Sequence, residues 1–472
     1  MNRRDFIQNT GLVGTGLLLK PVVSFAAGQE FPVVRVPVSE RKFISTAMEK
    51  AIATFEARVK NKELGWLFGN CFPNTLDTTV DFAVHNGRPD TYVITGDIDA
   101  MWLRDSTAQV WPYLSFAKED QHLRQLIAGV INRQVQNILY DPYANAFYKD
   151  RSKVGEWKND HTAMKPGLHE RKWEIDSLCY PVRLAHGYWT VTGDTSVFDK
   201  DWKEAAKAIL KTFKEQQRKQ DKGPYKFERT TSWATDGVPL GGYGYPAKPN
   251  GLICSMFRPS DDATIYPYLI PSNFFAVVSL QQIAKIAGTV YHDSALANES
   301  GALATEVQKA LQQHAATTHP NFGKVYAYEV NGFGSYNLMD DANVPSLLAM
   351  PYLASVKRSD PVYQNTRKLV LSGFNPFFFK GKAAEGIGGP HAGMDMIWPL
   401  SIIIRGLTAS SDTEVRSCVQ TLVATHGDTG FMHESFHKDN PKKFTRKWFA
   451  WANTLFGEFL WKVYREKPQL LT

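Results

Sequence analysis

Three carboxyl groups in this sequence are candidates for acid–base chemistry. Asp261 and Asp262 stand together in FRPSDDATIYPYLIPS (257–272), ahead of an aromatic-rich apolar run, and Glu434 stands in GFMHESFH (430–437). Two adjacent carboxylates repel, which raises one pKa, while a helix amino terminus at the same place favours the anion; burial decides between them. Glu434 follows a glycine and is less easily explained as a helix cap. Its neighbours His433 and His437 are expected to hold it ionised as a base. The same histidines raise the question of zinc, because HESFH has the H-E-x-x-H spacing, but that motif binds metal from one face of a helix and here it stands in a loop between a glycine and a polar turn, so no metal and no other cofactor is expected. A protonated carboxyl beside a leaving oxygen and an ionised one that activates water or attacks carbon are the two groups that hydrolyse a glycosidic bond.

The segments around these residues favour a sugar. TGDIDAMWLRDST (95–107), FERTTSWATDGVPLGGYGYP (227–246), YEVNGFGSYNLMDD (328–341), EGIGGPHAGMD (385–395) and THGDTGFMHESFHKDNPKKFTRKWFAWAN (425–453) mix tryptophan, tyrosine, arginine, histidine and carboxylates with many glycines. Sugar rings offer apolar faces to aromatic side chains and hydroxyls to carboxylates, amides and guanidinium groups. Each of these residues also has a plain reading, in which aromatics and aspartates cap and plug the end of a helical framework.

That framework is legible in hydrophobic period. DWKEAAKAILKTFKEQQRK (201–219) and ATEVQKALQQHAA (304–316 region) space apolar residues by three and four among charged ones, as outward helices do. Between such segments come more apolar ones at 104–117, 175–189, 260–280, 339–353, 393–407 and 446–461, six expected inner helices. Asp105, Asp176, Asp261, Asp340 and Asp395 mark their fronts, where aspartate is a natural helix cap. Each interval accommodates one inner helix, one outer helix and two connections. The expected fold is therefore all-α, a single toroid of six helical hairpins over residues 35–468. Pro112 and Pro181 are expected to kink or restart their helices. A break near 150–170 or 316–325 is the two-domain alternative, with no low-complexity linker to enforce it. Neither GLVGTG (11–16) nor VPLGGYGYPAKPNG (238–251) sits between a strand and a helix as a nucleotide-binding loop requires.

Composition agrees with a folded globular protein. The 472 residues are 43% hydrophobic and 12% aromatic, enough for a sizeable core. The net charge of +7 is spread without an arginine stripe, which argues against a nucleic-acid partner. Residues 1–27 read as a cleaved export signal: Arg3 and Arg4, an apolar stretch from Gly11 to Leu19, then Ser24-Phe25-Ala26-Ala27. The paired arginines resemble a twin-arginine signal, and the apolar run is shorter than the roughly 20 residues of a membrane span. The periplasm of a Gram-negative bacterium is the expected destination, with no stable membrane span and a monomeric state. Cys71, Cys179, Cys254 and Cys418 are far apart in apolar surroundings and read as buried thiols.

MWLRDSTAQVWPYL, FRPSDDATIYPYLIPSN, GGPHAGMDMIWPLSIIIRGLT and TGFMHESFHKDNPKKFTRKWFAWANTLFGE occur in this order and together resemble glycoside hydrolase family 125, exo-acting bacterial α-1,6-mannosidases, over roughly residues 40–465. The resemblance implies an (α/α)6 fold, an inverting reaction without metal, and a mannose-terminated oligosaccharide or glycan as partner. It places the general acid on an aspartate of RPSDDA, Asp261 with Asp262 as runner-up, and the general base on Glu434. Trp102, Arg104, Asp105, Asp262, His391, Asp395 and His433 are the expected substrate-binding residues. Two other functions fit the composition of the site: another exo-glycosidase of the same architecture, such as an α-glucosidase, and a non-catalytic periplasmic glycan-binding protein. The latter has no need of opposed carboxyls in two distant motifs.

Overall fold

The computed structural model describes residues 31–471; the expected signal segment lies outside the described residues. Two helices, α1 (Thr46–Arg58) and α2 (Lys62–Cys71), the single turn α3 (Asn74–Thr78) and a β-hairpin (Val80–His85 with Arg88–Val93) precede the ring. Buried and surface helices then alternate along the chain. The inner ones are α4 (Leu103–Val110), α6 (Ile175–Thr192), α8 (Ile270–Thr289), α11 (Pro399–Leu407) and α13 (Ala450–Glu466). The outer ones are α5 (Gln121–Tyr140), α7 (Lys200–Gln216), α9 (Ser294–His314), α10 (Pro361–Val370) and α12 (Asp412–Ala424). α4 packs on α6, α6 on α8 and α11 on α13, and α13 returns to α4 and α2, so the last helix closes on the first hairpin.

Helix character follows position. In α7 the buried residues Trp202, Ala205, Ala206, Ile209, Leu210 and Phe213 form one stripe, and lysines and glutamates cover the other face. In α8 burial extends round the helix, with Ile270, Phe274, Phe275, Val277, Leu280, Ile283 and Ile286 all enclosed. Close approach sets small residues inside the ring. A Cβ added to Gly457 of α13 would lie 2.2 Å from the Phe72 ring, so only glycine lets α13 reach the start of the chain.

The fourth inner place departs from expectation. Residues 339–353 form turns instead of a helix. The Asp340 carboxyl accepts the backbone N–H groups of Leu347 and Leu348 (2.8 and 2.9 Å), Asp341 accepts that of Asn343 (2.9 Å), and Pro345 and Pro351 have none to give. Side chains have taken donors that a helix would use. The segment is still tied to the ring: Tyr180 Oη of α6 donates to the Val344 carbonyl, and Tyr352 Oη donates to Glu458 of α13.

The expected capping aspartates are corrected as well. α8 starts at Ile270 and α11 at Pro399, so Asp261, Asp262 and Asp395 lie ahead of any helix, while Asp105 and Asp176 lie inside the first turns of α4 and α6. Pro271 and Pro399 instead occupy helix starts, where a missing N–H is harmless. Pro112 opens a 3-10 turn after α4, and Pro181 is absorbed within α6. Segment 150–170 contributes a strand (Leu168–Glu170) paired with Ala146–Phe147, and 316–326 is a hairpin against α10. The four cysteines are buried and free. Among the described residues no helix is long and apolar enough to cross a membrane.

Candidate active site

Three small antiparallel sheets collect at the rim where the inner helices begin. Met101–Trp102, Tyr268–Leu269 and Met396–Ile397 each belong to one and run directly into α4, α8 and α11. The rim encloses a cavity of about 460 Å³, within the about 300–1,000 Å³ common for small-ligand sites. Trp102, Arg104 and Asp105 come from the start of α4, Trp398 from that of α11, and Phe449 and Trp451 from that of α13. Loops supply Asp261, His391 and Glu434.

Two of the three candidate carboxyls therefore meet in one cavity. Asp261 sits in a left-handed backbone conformation (φ 67°), an unusual state for aspartate that places its side chain toward the cavity. Its Oδ1 accepts from Arg104 Nη2 at 3.1 Å, and its carbonyl accepts from Lys172 Nζ at 2.9 Å. Burial works to raise its pKa, but Arg104 and Lys172 outweigh that and hold the carboxyl below the usual range. Arg104 also bonds Glu174 (2.6 Å) and Asp176 (3.0 Å) and lies 3.5 Å from Asp105. Burial pushes Glu174 well above the ordinary carboxyl range and Asp176 up to about 6, against the pull of Arg104.

Glu434 faces the cavity from the other side. Thr445 Oγ1 donates to its Oε2 at 2.9 Å, and Arg446 Nη1 lies 3.4 Å from its Oε1. Arg446 is held in turn by Asp97 and by the Thr95 carbonyl (2.9 Å). Thr95 also donates through its hydroxyl to Asp105, so the two sides are linked through one loop. Trp102 Nε1, Trp398 Nε1 and His391 Nδ1 are buried polar atoms of the cavity wall without a hydrogen-bond partner in the protein. Buried polar groups left unpaired are costly, and sugar hydroxyls are suitable partners for them.

The family model described as metal-independent alpha-mannosidase (GH125) matches residues 61–461. The chain belongs to glycoside hydrolase family 125. It is 42% identical over 458 residues to the meiotically up-regulated gene 157 protein of Schizosaccharomyces pombe, covering 93% of this chain and 90% of that protein. A metal-independent α-mannosidase of Streptococcus pneumoniae, solved in a non-productive complex with α-1,6-mannobiose, is 41% identical with a TM-score of 0.86, over 90% of this chain and all of that one. A bacterial glucoamylase complexed with acarbose shares the fold alone, at 13% identity and a TM-score of 0.50, over 79% of this chain and 50% of that one.

Within this family-125 site, several expected residues hold other positions. Asp262 is fully buried behind the cavity wall, where Thr235 and Ser260 donate to it at 2.7 and 3.0 Å; His391 Nδ1 is 3.9 Å away. Asp395 is at the surface, paired with Lys438 at 2.7 Å, and does not line the cavity. His433 points away: its ring stacks on Phe444 (4.0 Å), and its Nδ1 lies 2.9 Å from the Lys447 carbonyl. Burial pushes its pKa down to about 4, leaving it neutral. His437 Nδ1 accepts from the Asp439 backbone N–H. The histidines therefore do not contact Glu434; Arg446 and Thr445 do.

Sequence reasoning overlooked Arg446, Glu174, Lys172 and the aromatic wall of Trp157 and Trp233. Arg446 and Trp233 lay in quoted segments among many similar residues. Glu174 precedes an apolar helix and looks like an ordinary first-turn acid. Among the described residues no cluster of His, Cys, Asp and Glu is arranged to hold a metal ion.

Proposed function

We propose that this enzyme removes single mannose units from the non-reducing ends of α-1,6-linked mannosides with inversion of configuration, Asp261 serving as general acid and Glu434 as general base. The observation that carries this reading is that Asp261 and Glu434 line one cavity, each anchored by its own arginine on a different part of the chain. Asp261 is favoured over Asp262 because it is the member of the pair that reaches the cavity. In the reaction Asp261 protonates the glycosidic oxygen as the C1–O bond breaks, and Glu434 takes a proton from the water that attacks the opposite face. Trp102, Trp398 and His391 offer N–H groups to sugar hydroxyls, and Arg104 and Asp105 hold the acid side in place. The α-1,6 linkage is supported by the mannobiose bound to the Streptococcus pneumoniae relative. The exo mode is supported by the membership of family 125.

The deciding experiment is an NMR time course with α-1,6-linked oligomannosides and their α-glucosidic counterparts. β-Mannose should appear first, together with the oligosaccharide shortened by one unit, and the glucosides should survive. First-formed α-mannose would refute inversion, and mannobiose among the first products from a tetramannoside would refute the exo mode. Periplasmic location is part of the same proposal and rests on the Arg3-Arg4 segment and the Ala26-Ala27 region. Amino-terminal sequencing of protein from a periplasmic extract should begin just beyond Ala27.

A further inference from the structure

The acid side of the cavity holds more carboxyls than cations. Arg104 is in contact with Asp105, Glu174, Asp176 and Asp261. The neighbouring cations bring no surplus: Lys172 is shared by Glu170 and Asp236, and Arg229 by Asp160, Glu170 and Asp236. Buried carboxyls in such excess keep protons, because the fully ionised cluster would lack compensating charge.

Glu174 and Asp176 each keep one buried oxygen without a donor, and Glu174 is the one beside Asp261. It is fully buried; its Oε2 accepts from Arg104 Nη1 (2.6 Å) and Ser177 Oγ (2.7 Å), while its buried Oε1 has no donor. Its carboxyl is within hydrogen-bonding reach of Asp261. One oxygen saturated by donors and the other beside a carboxylate is the arrangement of a carboxylic acid donating to that carboxylate.

We propose that Glu174 is the proton-holding partner of Asp261, donating Oε1–H to the Asp261 carboxylate and passing that proton through it to the glycosidic oxygen. This rests on the assignment of Asp261 as the acid. The opposite displacements of the two groups, Glu174 upward by burial and Asp261 downward by Arg104 and Lys172 against its burial, place the resting proton on Glu174. A sugar entering the cavity removes water from Asp261, whose side chain is 17% exposed, and so brings the two affinities together. The Glu174 O–H bond then breaks as an Asp261 O–H bond forms. Asp261 gives its proton to the departing oxygen, which keeps the C1–O electron pair, and Glu434 collects a proton from the attacking water. The cycle ends with Glu174 anionic and Glu434 protonated, and exchange with solvent resets both.

The groups facing this pair are Arg104 and Asp105 from α4 and Asp176 from α6, with Glu170 and Lys172 from the adjoining strand region. His169 and His391 face Asp261, and Tyr225 faces Glu174. Of these acids, Glu174 is the one whose carboxyl comes within hydrogen-bonding reach of Asp261.

The test compares wild type, Glu174→Gln and Asp261→Asn on α-1,6-mannobiose and on dinitrophenyl α-mannoside, whose leaving group needs no proton. Glu174→Gln should lower kcat on mannobiose by about 10- to 100-fold with little change in KM, and the aryl substrate by less than about 3-fold. Its alkaline limb on mannobiose should move down by about one pH unit, because Asp261 alone beside Arg104 releases its proton early. An unmoved limb, or equal loss on both substrates, overturns the proposal. Should Glu174→Gln fail to fold, Glu174→Asp must give the same split between substrates, and equal losses there overturn it too. If Asp261→Asn itself shows no leaving-group dependence, the acid assignment fails; if Asp261→Asn shows it and Glu174→Gln does not, only the role of Glu174 fails.

Discussion

The two sides of the cavity each rest on one arginine, yet they are charged very differently. Arg446 is shared by Glu434 and Asp97 and braced by the Thr95 carbonyl, with Thr445 donating to Glu434. Arg104 is shared by Asp105, Glu174, Asp176 and Asp261. The first setting gives one carboxylate a guanidinium and a hydroxyl donor; the second crowds carboxyls until a proton must remain, as an acid requires. One kind of residue is thus divided into two roles by the number of its neighbours rather than by its own chemistry.

The comparison breaks most sharply at the base. Glu434→Gln keeps the shape of the side chain and its bond from Thr445 but cannot accept a proton from water. Turnover of α-1,6-mannobiose should fall by about 10³- to 10⁴-fold while calorimetry shows sugar binding retained. An equal loss of affinity would make Glu434 a binding group. Asp261→Asn should cost about 10²- to 10³-fold on mannobiose and much less on an activated aryl mannoside. If the leaving-group dependence appears in Asp262→Asn instead, the acid moves by one residue.

Most of the ring was readable from period and composition, because a half-buried helix must alternate its faces. The exceptions share a cause. Among the outer helices, Asp120, Asp199, Asp293, Asp360 and Ser411 each cap their own helix with a side-chain acceptor. At the inner helices the cap positions are Trp102, Glu174, Leu269, Trp398 and Phe449, and none makes a side-chain cap bond. The cap signal therefore belongs to helices that only support the fold. At the inner ends three of these positions, Trp102, Trp398 and Phe449, line the cavity instead. Reading aspartates as inner caps consequently placed Asp261 and Asp395 alike at helix starts, although one reaches the cavity and the other a surface lysine. Glu174 and Arg446 were invisible for a related reason: their meaning lies in contacts 87 and 12 residues away along the chain, as the pairs Glu174 with Asp261 and Arg446 with Glu434 show.

A smaller effect sharpens the base side. Lysine at 446 would keep one positive charge, but an ammonium cannot reach Glu434, Asp97 and the Thr95 carbonyl with the fork geometry of arginine. Arg446→Lys should lower kcat by about 10- to 100-fold with KM changed little. A change confined to KM would show that Arg446 binds substrate and does not position the base.

The smallest expected effect concerns His433, which borders the base without charging it. Its ring is buried against Phe444, and its pKa falls from 6.5 to about 4 through burial, only partly offset by bonds to the Lys447 and Arg446 carbonyls. Between those values the unfolded chain binds a proton that the folded chain refuses. The contribution of a neutral His433 is fully present above the unfolded pKa and is lost as pH falls through the folded one, by up to about 1.4 kcal/mol per pH unit inside the window. His433→Gln removes the titration and keeps an amide donor for the carbonyl. The variant should melt a few degrees below wild type at neutral pH, and the gap should close on acidification toward the lower end of the window. Parallel melting curves across that range would mean that His433 is already protonated in the fold, and that the base has a cationic neighbour after all.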